Sequence, residues 1–181
     1  MTFRVNFYAE QAFLSFVKKM IEKTESGSED ETEVSAVCVL ACAAALESGV
    51  NYIFLNYTNN TDFDKLNIKS KIEYITSSST EKIKWSEGFW QNIILLINSR
   101  NWLAHYKESD IGLINSECKW IKDDSNEIPK IDPNHVLNIS NIKKYYESTR
   151  SALKFLIYTT KGDLITHEYL DDEDYSPLII G

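Results

Sequence analysis

Residues 34–55 set Val, Leu, Ile, Cys, Phe and Ala around nearly the whole circumference of a helix-length segment, with few polar positions among them. A helix without a polar face cannot lie on a surface, so other elements have to cover it. Ala41 and Ala43 to Ala45 suit that place, because small side chains let neighbouring helices approach closely. The longest uninterrupted apolar run in the segment, residues 37–46, falls far short of the roughly 20 residues that span a bilayer. The start of the chain, Met1-Thr2-Phe3-Arg4-Val5-Asn6, lacks a signal-peptide pattern. These features predict a soluble, cytoplasmic all-α protein with this helix at its centre and no membrane partner.

The other helices follow from apolar spacing. Residues 9–23 carry Ala12, Phe13, Phe16, Val17 and Met20 at intervals of three and four, and the Ser- and Glu-rich stretch 24–30 reads as a loop. The central helix is expected over about 31–56. Asp62 or Asp64 is expected to cap a third helix running to about residue 75, ended by the Ser/Thr cluster 77–80. A fourth helix, about 86–106 with Ser86 as its cap, bears Phe89, Trp90, Ile93, Ile94, Leu96 and Ile97. That is more apolar surface than one face holds, so it belongs inside a bundle or at an oligomer interface. Residues 108–138 change character, with Gly112, Pro129 and Pro133, and read as an irregular insertion containing a short hairpin around 118–122. Ile142, Tyr145, Tyr146, Thr149, Ala152, Leu153 and Leu156 then predict a last long helix over 140–158, stopped by Gly162. The expectation is one domain over 1–181, with a helical core at about 9–160 and an acidic tail at about 162–181.

Charge narrows the partners. The chain has 27 acidic against 19 basic residues, a net charge of −8, and an isoelectric point near 4.9. That balance disfavours broad attraction to nucleic acid or anionic lipid, so any RNA contact has to be local. Part of the excess lies in the tail, at Glu168, Asp171, Asp172, Glu173 and Asp174. Cys38, Cys42 and Cys118 are an odd set without zinc-type spacing, which predicts a reducing compartment and no metal site.

Late in the fourth helix stands Arg100-Asn101-Trp102-Leu103-Ala104-His105, placing a guanidinium, a carboxamide and an imidazole in an otherwise apolar segment. Burying such groups unpaired costs on the order of several kcal/mol, so apolar residues would serve the helix better. The motif therefore reads as a site. Gly-rich phosphate loops, Gly-x-Ser-x-Gly and His-Glu-x-x-His are absent from the sequence.

An Arg followed by Asn, with a His a few residues on and late in an apolar helix of an all-α chain, resembles the signature of the HEPN superfamily, the higher eukaryotes and prokaryotes nucleotide-binding domains. The resemblance covers roughly residues 9–160. It implies a HEPN-like four- to five-helix bundle acting as a metal-independent endoribonuclease on single-stranded RNA. It further implies a homodimer with both motifs in one cleft, no cofactor, and use as a toxin or antiphage-defence effector held by an antitoxin or sensor protein. Other members of the superfamily are non-catalytic dimerisation or protein- and nucleotide-binding modules, which is the alternative. In one toxin branch a Tyr two residues beyond the His is modified by a partner enzyme. Here Lys107 holds that position and Tyr106 stands one residue earlier.

The chemistry of the motif assigns roles. His105 serves as general base or acid, since its unperturbed pKa of about 6.5 lies near working pH. Arg100 holds the scissile phosphate and offsets transition-state charge. Asn101 fixes the His105 ring or binds a phosphate oxygen. Glu47 and Asn51, one turn apart on the central helix, are expected to orient Arg100. Trp102 is the candidate for base stacking, ahead of Trp85, Trp90, Tyr145 and Tyr146, and Lys107 supplies positive charge with Lys143, Lys144 and Arg150. At about 100° per residue, Arg100 lies about 140° around the helix from His105. Convergence then needs a bent Arg side chain, a helix deformed near Trp102, or a second copy supplying the missing group. The structural alternative has Arg100 paired with Glu47 and His105 ending the helix. His135 and His167 are bystanders, and the acidic tail is a candidate cover for the motif.

Overall fold

The computed structural model describes residues 4–5, 9–27, 31–57, 65–77, 79, 82–104, 113–114, 120–121, 136–161 and 179–180. Its body is an all-α bundle of α1 (Ala9–Glu25), α2 (Glu31–Tyr57), α3 (Ile68–Ile75), α4 (Gly88–Ala104) and α5 (Ile139–Lys161). Two antiparallel ladders of two residues per strand lie outside the helices: β1 (Arg4–Val5) pairs with β4 (Ile179–Ile180), and β2 (Leu113–Ile114) with β3 (Trp120–Ile121). The second ladder falls within the expected insertion, with β3 inside the 118–122 stretch and β2 ahead of it. The first pairs two chain ends that sequence alone leaves unstructured.

α2 is central, as its all-round apolar surface requires, and packs against α1, α3, α4 and α5. By length and composition it is the one helix among the described residues long and apolar enough to cross a bilayer, yet 61% of that window is buried inside the bundle. Ile139 N–H donates to Glu31 Oε1 at 2.9 Å, and Leu153 faces Gly49, so α5 runs parallel to α2. Asn92 Nδ2 donates to Ser148 Oγ at 3.0 Å, and Ser99 Oγ lies 3.4 Å from Tyr145 Oη, which sets α4 antiparallel to α5. A Cβ at Gly49 would come within 2.5 Å of Leu153 Cδ2. The α2–α5 approach therefore depends on a residue with no side chain.

Cys38 and Cys42 fill the core beside this seam. Burial pushes the Cys38 thiol up to about 11 and the Cys42 thiol further, so both pack as small apolar groups. Cys118 lies outside the described residues.

Several boundaries differ from expectation for local reasons. α1 buries Glu10, Leu14, Val17 and Ile21, while Phe13 and Phe16 are each 39% exposed. Two apolar series fit that helix and share Val17; packing on α2 selects the one that aligns Glu10 with Ser48. α3 starts later than either Asp62 or Asp64, which lie outside the described residues. Asn67 caps it, Oδ1 accepting from Ser70 N–H at 2.9 Å. α4 starts at Gly88 with φ +55°, where glycine adopts the left-handed region without strain. Ser86 instead sits in the preceding turn, closed by Glu87 N–H donating to Lys84 O at 3.0 Å. α5 is capped twice, by Asn138 Oδ1 accepting from Asn141 N–H at 2.9 Å and by the Glu31 carboxylate.

Candidate functional site

Regular helix carries α4 through Ala104, so the backbone does not deform at Trp102. His105, Tyr106 and Lys107 lie outside the described residues, as do His135, His167 and the acidic tail. Arg100 is half-buried and held on two sides. Its Nη1 donates to Asn101 Oδ1 at 3.1 Å, and its Nη2 lies 3.9 Å from Glu47 Oε2 on α2. The Glu47 contact is common to the two expectations for this residue, as a support that orients Arg100 and as its plain structural partner. Asn101 gives its carbonyl oxygen to Arg100; the His105 ring it was expected to fix lies outside the described residues.

Asn51, one turn along α2, has a different partner. Its Oδ1 accepts from Lys71 Nζ at 2.9 Å, and Lys71 is only 6% exposed. Sequence reasoning missed Lys71, a cation set between Ile68 and Ile75 on the α3 face that packs on α2. A Lys inside an otherwise apolar three-and-four series was the available signal, because burying an ammonium requires polar company.

Between α2, α3 and α4, beside Arg100 and Glu47, lies a cleft of about 220 Å³. Ala43, Leu46, Ile68 and Ile97 form its apolar walls, and Glu47, Asn67, Arg100 and Asn101 its polar rim. Asn67 therefore belongs both to the α3 cap and to the site, a double role invisible in its sequence context.

The aromatic candidates have moved into packing roles. Trp102 lies against the hydrophobic core, and its buried Nε1 has no hydrogen-bond partner among the described residues. Trp85 and Trp90 meet edge to face with ring centroids 5.3 Å apart, and Trp90 packs the same way on Phe155 at 5.6 Å. Trp85 Nε1 also donates to Glu73 Oε1 at 2.9 Å. Tyr145 is buried beside Ser99, and Tyr146 lies under Arg150, 5.5 Å from its guanidinium. Of the basic candidates, Lys143 pairs with Glu25, and Arg150 lies 3.6 Å from Glu147. Among the described residues, no group of three or more His, Cys, Asp or Glu is placed to hold a metal ion.

No family model, curated protein or solved structure matches this chain.

Proposed function

We propose that this chain is a HEPN-type endoribonuclease that cuts single-stranded RNA at a composite site in a homodimer, and that it acts as a toxin or antiphage-defence effector under an antitoxin or sensor partner. One observation carries the reading: the motif arginine sits at the rim of a cleft, 38% exposed, with acceptors on two sides. A guanidinium buried in the core would have no access to a ligand. This one is oriented and still open to a phosphate, the geometry that suits bidentate binding.

In the proposed reaction His105 takes the proton of the 2′-hydroxyl, and O2′ attacks the adjacent phosphorus. Charge gathering on the phosphoryl oxygens is met by Arg100. The 5′-oxygen departs with a proton from a general acid, His105 of the second copy, leaving a 2′,3′-cyclic phosphate and a 5′-hydroxyl. On regular helix geometry, two residues five positions apart in sequence lie about 140° apart around the axis, which favours assembly of the site across a two-fold axis.

The test is cleavage of single-stranded RNA in EDTA by the wild type, Arg100→Ala and His105→Ala, with melting temperature and sedimentation measured on each. Folded, dimeric variants that no longer cut support the reading; undiminished cleavage by either removes it. A second reading, a non-catalytic helical module, draws on the Glu47 carboxylate that partly neutralises Arg100 in a chain of net charge −8. In that case no RNA is cut by any of the three proteins.

A further inference from the structure

The cleft beside Arg100 has a chemistry of its own. At about 220 Å³ it falls below the roughly 300–1,000 Å³ of ordinary ligand pockets, which limits it to one planar ring system. Leu46, Ile68 and Ile97 offer apolar walls to the faces of such a ring. The rim fixes the edge. Asn67 Oδ1 accepts from Ser70 N–H at 2.9 Å, and Asn101 Oδ1 accepts from Arg100 Nη1 at 3.1 Å. Each oxygen has one lone pair engaged, and each amide keeps two Nδ2–H donors for a ligand at the rim. Glu47 contributes the opposite character, an acceptor-only carboxylate whose side chain is 53% exposed.

A site with two amide donors and one carboxylate discriminates among bases. Guanine presents N1–H and N2–H₂ side by side, next to the O6 and N7 acceptors. The carboxylate takes the first pair and the amides meet the second. Adenine and cytosine turn a ring-nitrogen lone pair toward the carboxylate, and uracil flanks its single N–H with two carbonyl oxygens. Each of these loses a hydrogen bond and adds repulsion.

Resting on the nuclease reading for Arg100, we propose that the α2–α3–α4 cleft is a guanine-specificity pocket, with Glu47, Asn67 and Asn101 reading the base next to the phosphate that Arg100 binds. The pocket makes the enzyme guanine-selective in single-stranded RNA. The polar contact is local, as the acidic surface requires.

Calorimetric titration of the full chain with GMP, AMP, CMP and UMP in EDTA tests the pocket without any cleavage. GMP is expected to bind at least about tenfold more tightly than the others, the low end of what a two-bond base contact supplies. Asn67→Asp keeps a carbonyl-type oxygen to cap α3 but replaces the amide donor with an acceptor. It should weaken GMP at least about tenfold at an unchanged melting temperature. Equal affinities for the four nucleotides, or no saturable GMP binding, overturn the pocket. Mapping of cut sites separates the two claims: cleavage without a guanine preference overturns the pocket and leaves the nuclease. GMP selectivity in a protein that cuts no RNA upholds the pocket and overturns the nuclease.

Discussion

Over the turn from Glu47 to Asn51, α2 has two faces with opposite properties. On one, Gly49 is sealed against α5, where Leu153 is 1% exposed and stands where a methyl group would go. On the other, Glu47 reaches Arg100 at the rim of a cleft that still has space, and Asn51, one turn on, accepts from the buried Lys71. Rigidity on the sealed face fixes the position of groups on the open one, so a single helix serves as both scaffold and site wall. The contrast implies separable failures: volume changes damage the sealed face through stability, and charge changes damage the open face through activity.

Arg100→Ala should show the largest separation of the two. Loss of a group that stabilises transition-state charge costs about 10²–10³-fold in rate. Arg100 is half-exposed in a loose ion pair, so the melting temperature should barely move. A large drop in melting temperature would make the open face structural. Gly49→Val is the mirror case. Overpacking against Leu153 should cost about 1–3 kcal/mol, read as a fall of about 2–4 °C per kcal/mol in a chain of this size. An unchanged melting temperature would mean that the sealed face is not tight.

Glu10 sharpens the comparison from within the sealed side. Its carboxyl is 3% exposed in the core between α1 and α2, with Oε1 unpartnered among the described residues. Burial raises its pKa, and hydrogen bonds from its own backbone and from Ser48 only partly oppose this. A carboxyl raised in the fold contributes stability fully below roughly pH 4, the unfolded value, and loses it as pH climbs through the folded value. Glu10→Gln removes that titration. Urea melts of the two proteins should nearly coincide in acid and separate toward neutral pH, with the variant the more stable. A constant difference at every pH would place the Glu10 carboxyl in water.

The sealed face was legible in the sequence because burial writes a periodic signature. α5 emerges from spacing, with Ile142, Tyr145, Ala152, Leu153 and Leu156 all buried, and α2 and α4 emerge from apolar surface that no single face can hold. α1 was misphased because Phe13 and Phe16 outweigh Leu14 and Ile21 by size, whereas contact with α2 decides which stripe turns inward. The open face was only half legible. Arg100, Asn101 and Glu47 stand out as polar groups in apolar helices, but Asn67 and Lys71 come from a helix whose start depends on a cap. Nothing local distinguishes Asn67 from Asp62 or Asp64 as that cap. Asn51 shows the same limit, since its spacing from Glu47 is visible and its partner on α3 is not.

The smallest effect tests whether the Arg100–Glu47 contact belongs to the scaffold or to the site. At 3.9 Å, with side chains 38% and 53% exposed, the pair gains little in solvent. A double-mutant cycle of Glu47→Ala and Arg100→Ala should give a coupling of about 0–1 kcal/mol in urea unfolding, shrinking further as salt rises. Glu47→Ala alone should still lower cleavage, because a guanidinium without its acceptor samples orientations that miss the phosphate, and a dose of this kind appears in rate rather than in unfolding. A coupling above about 2 kcal/mol would exceed what exposed pairs supply. It would turn the arginine into a strut between α2 and α4, and the two faces of α2 would then serve one structural purpose.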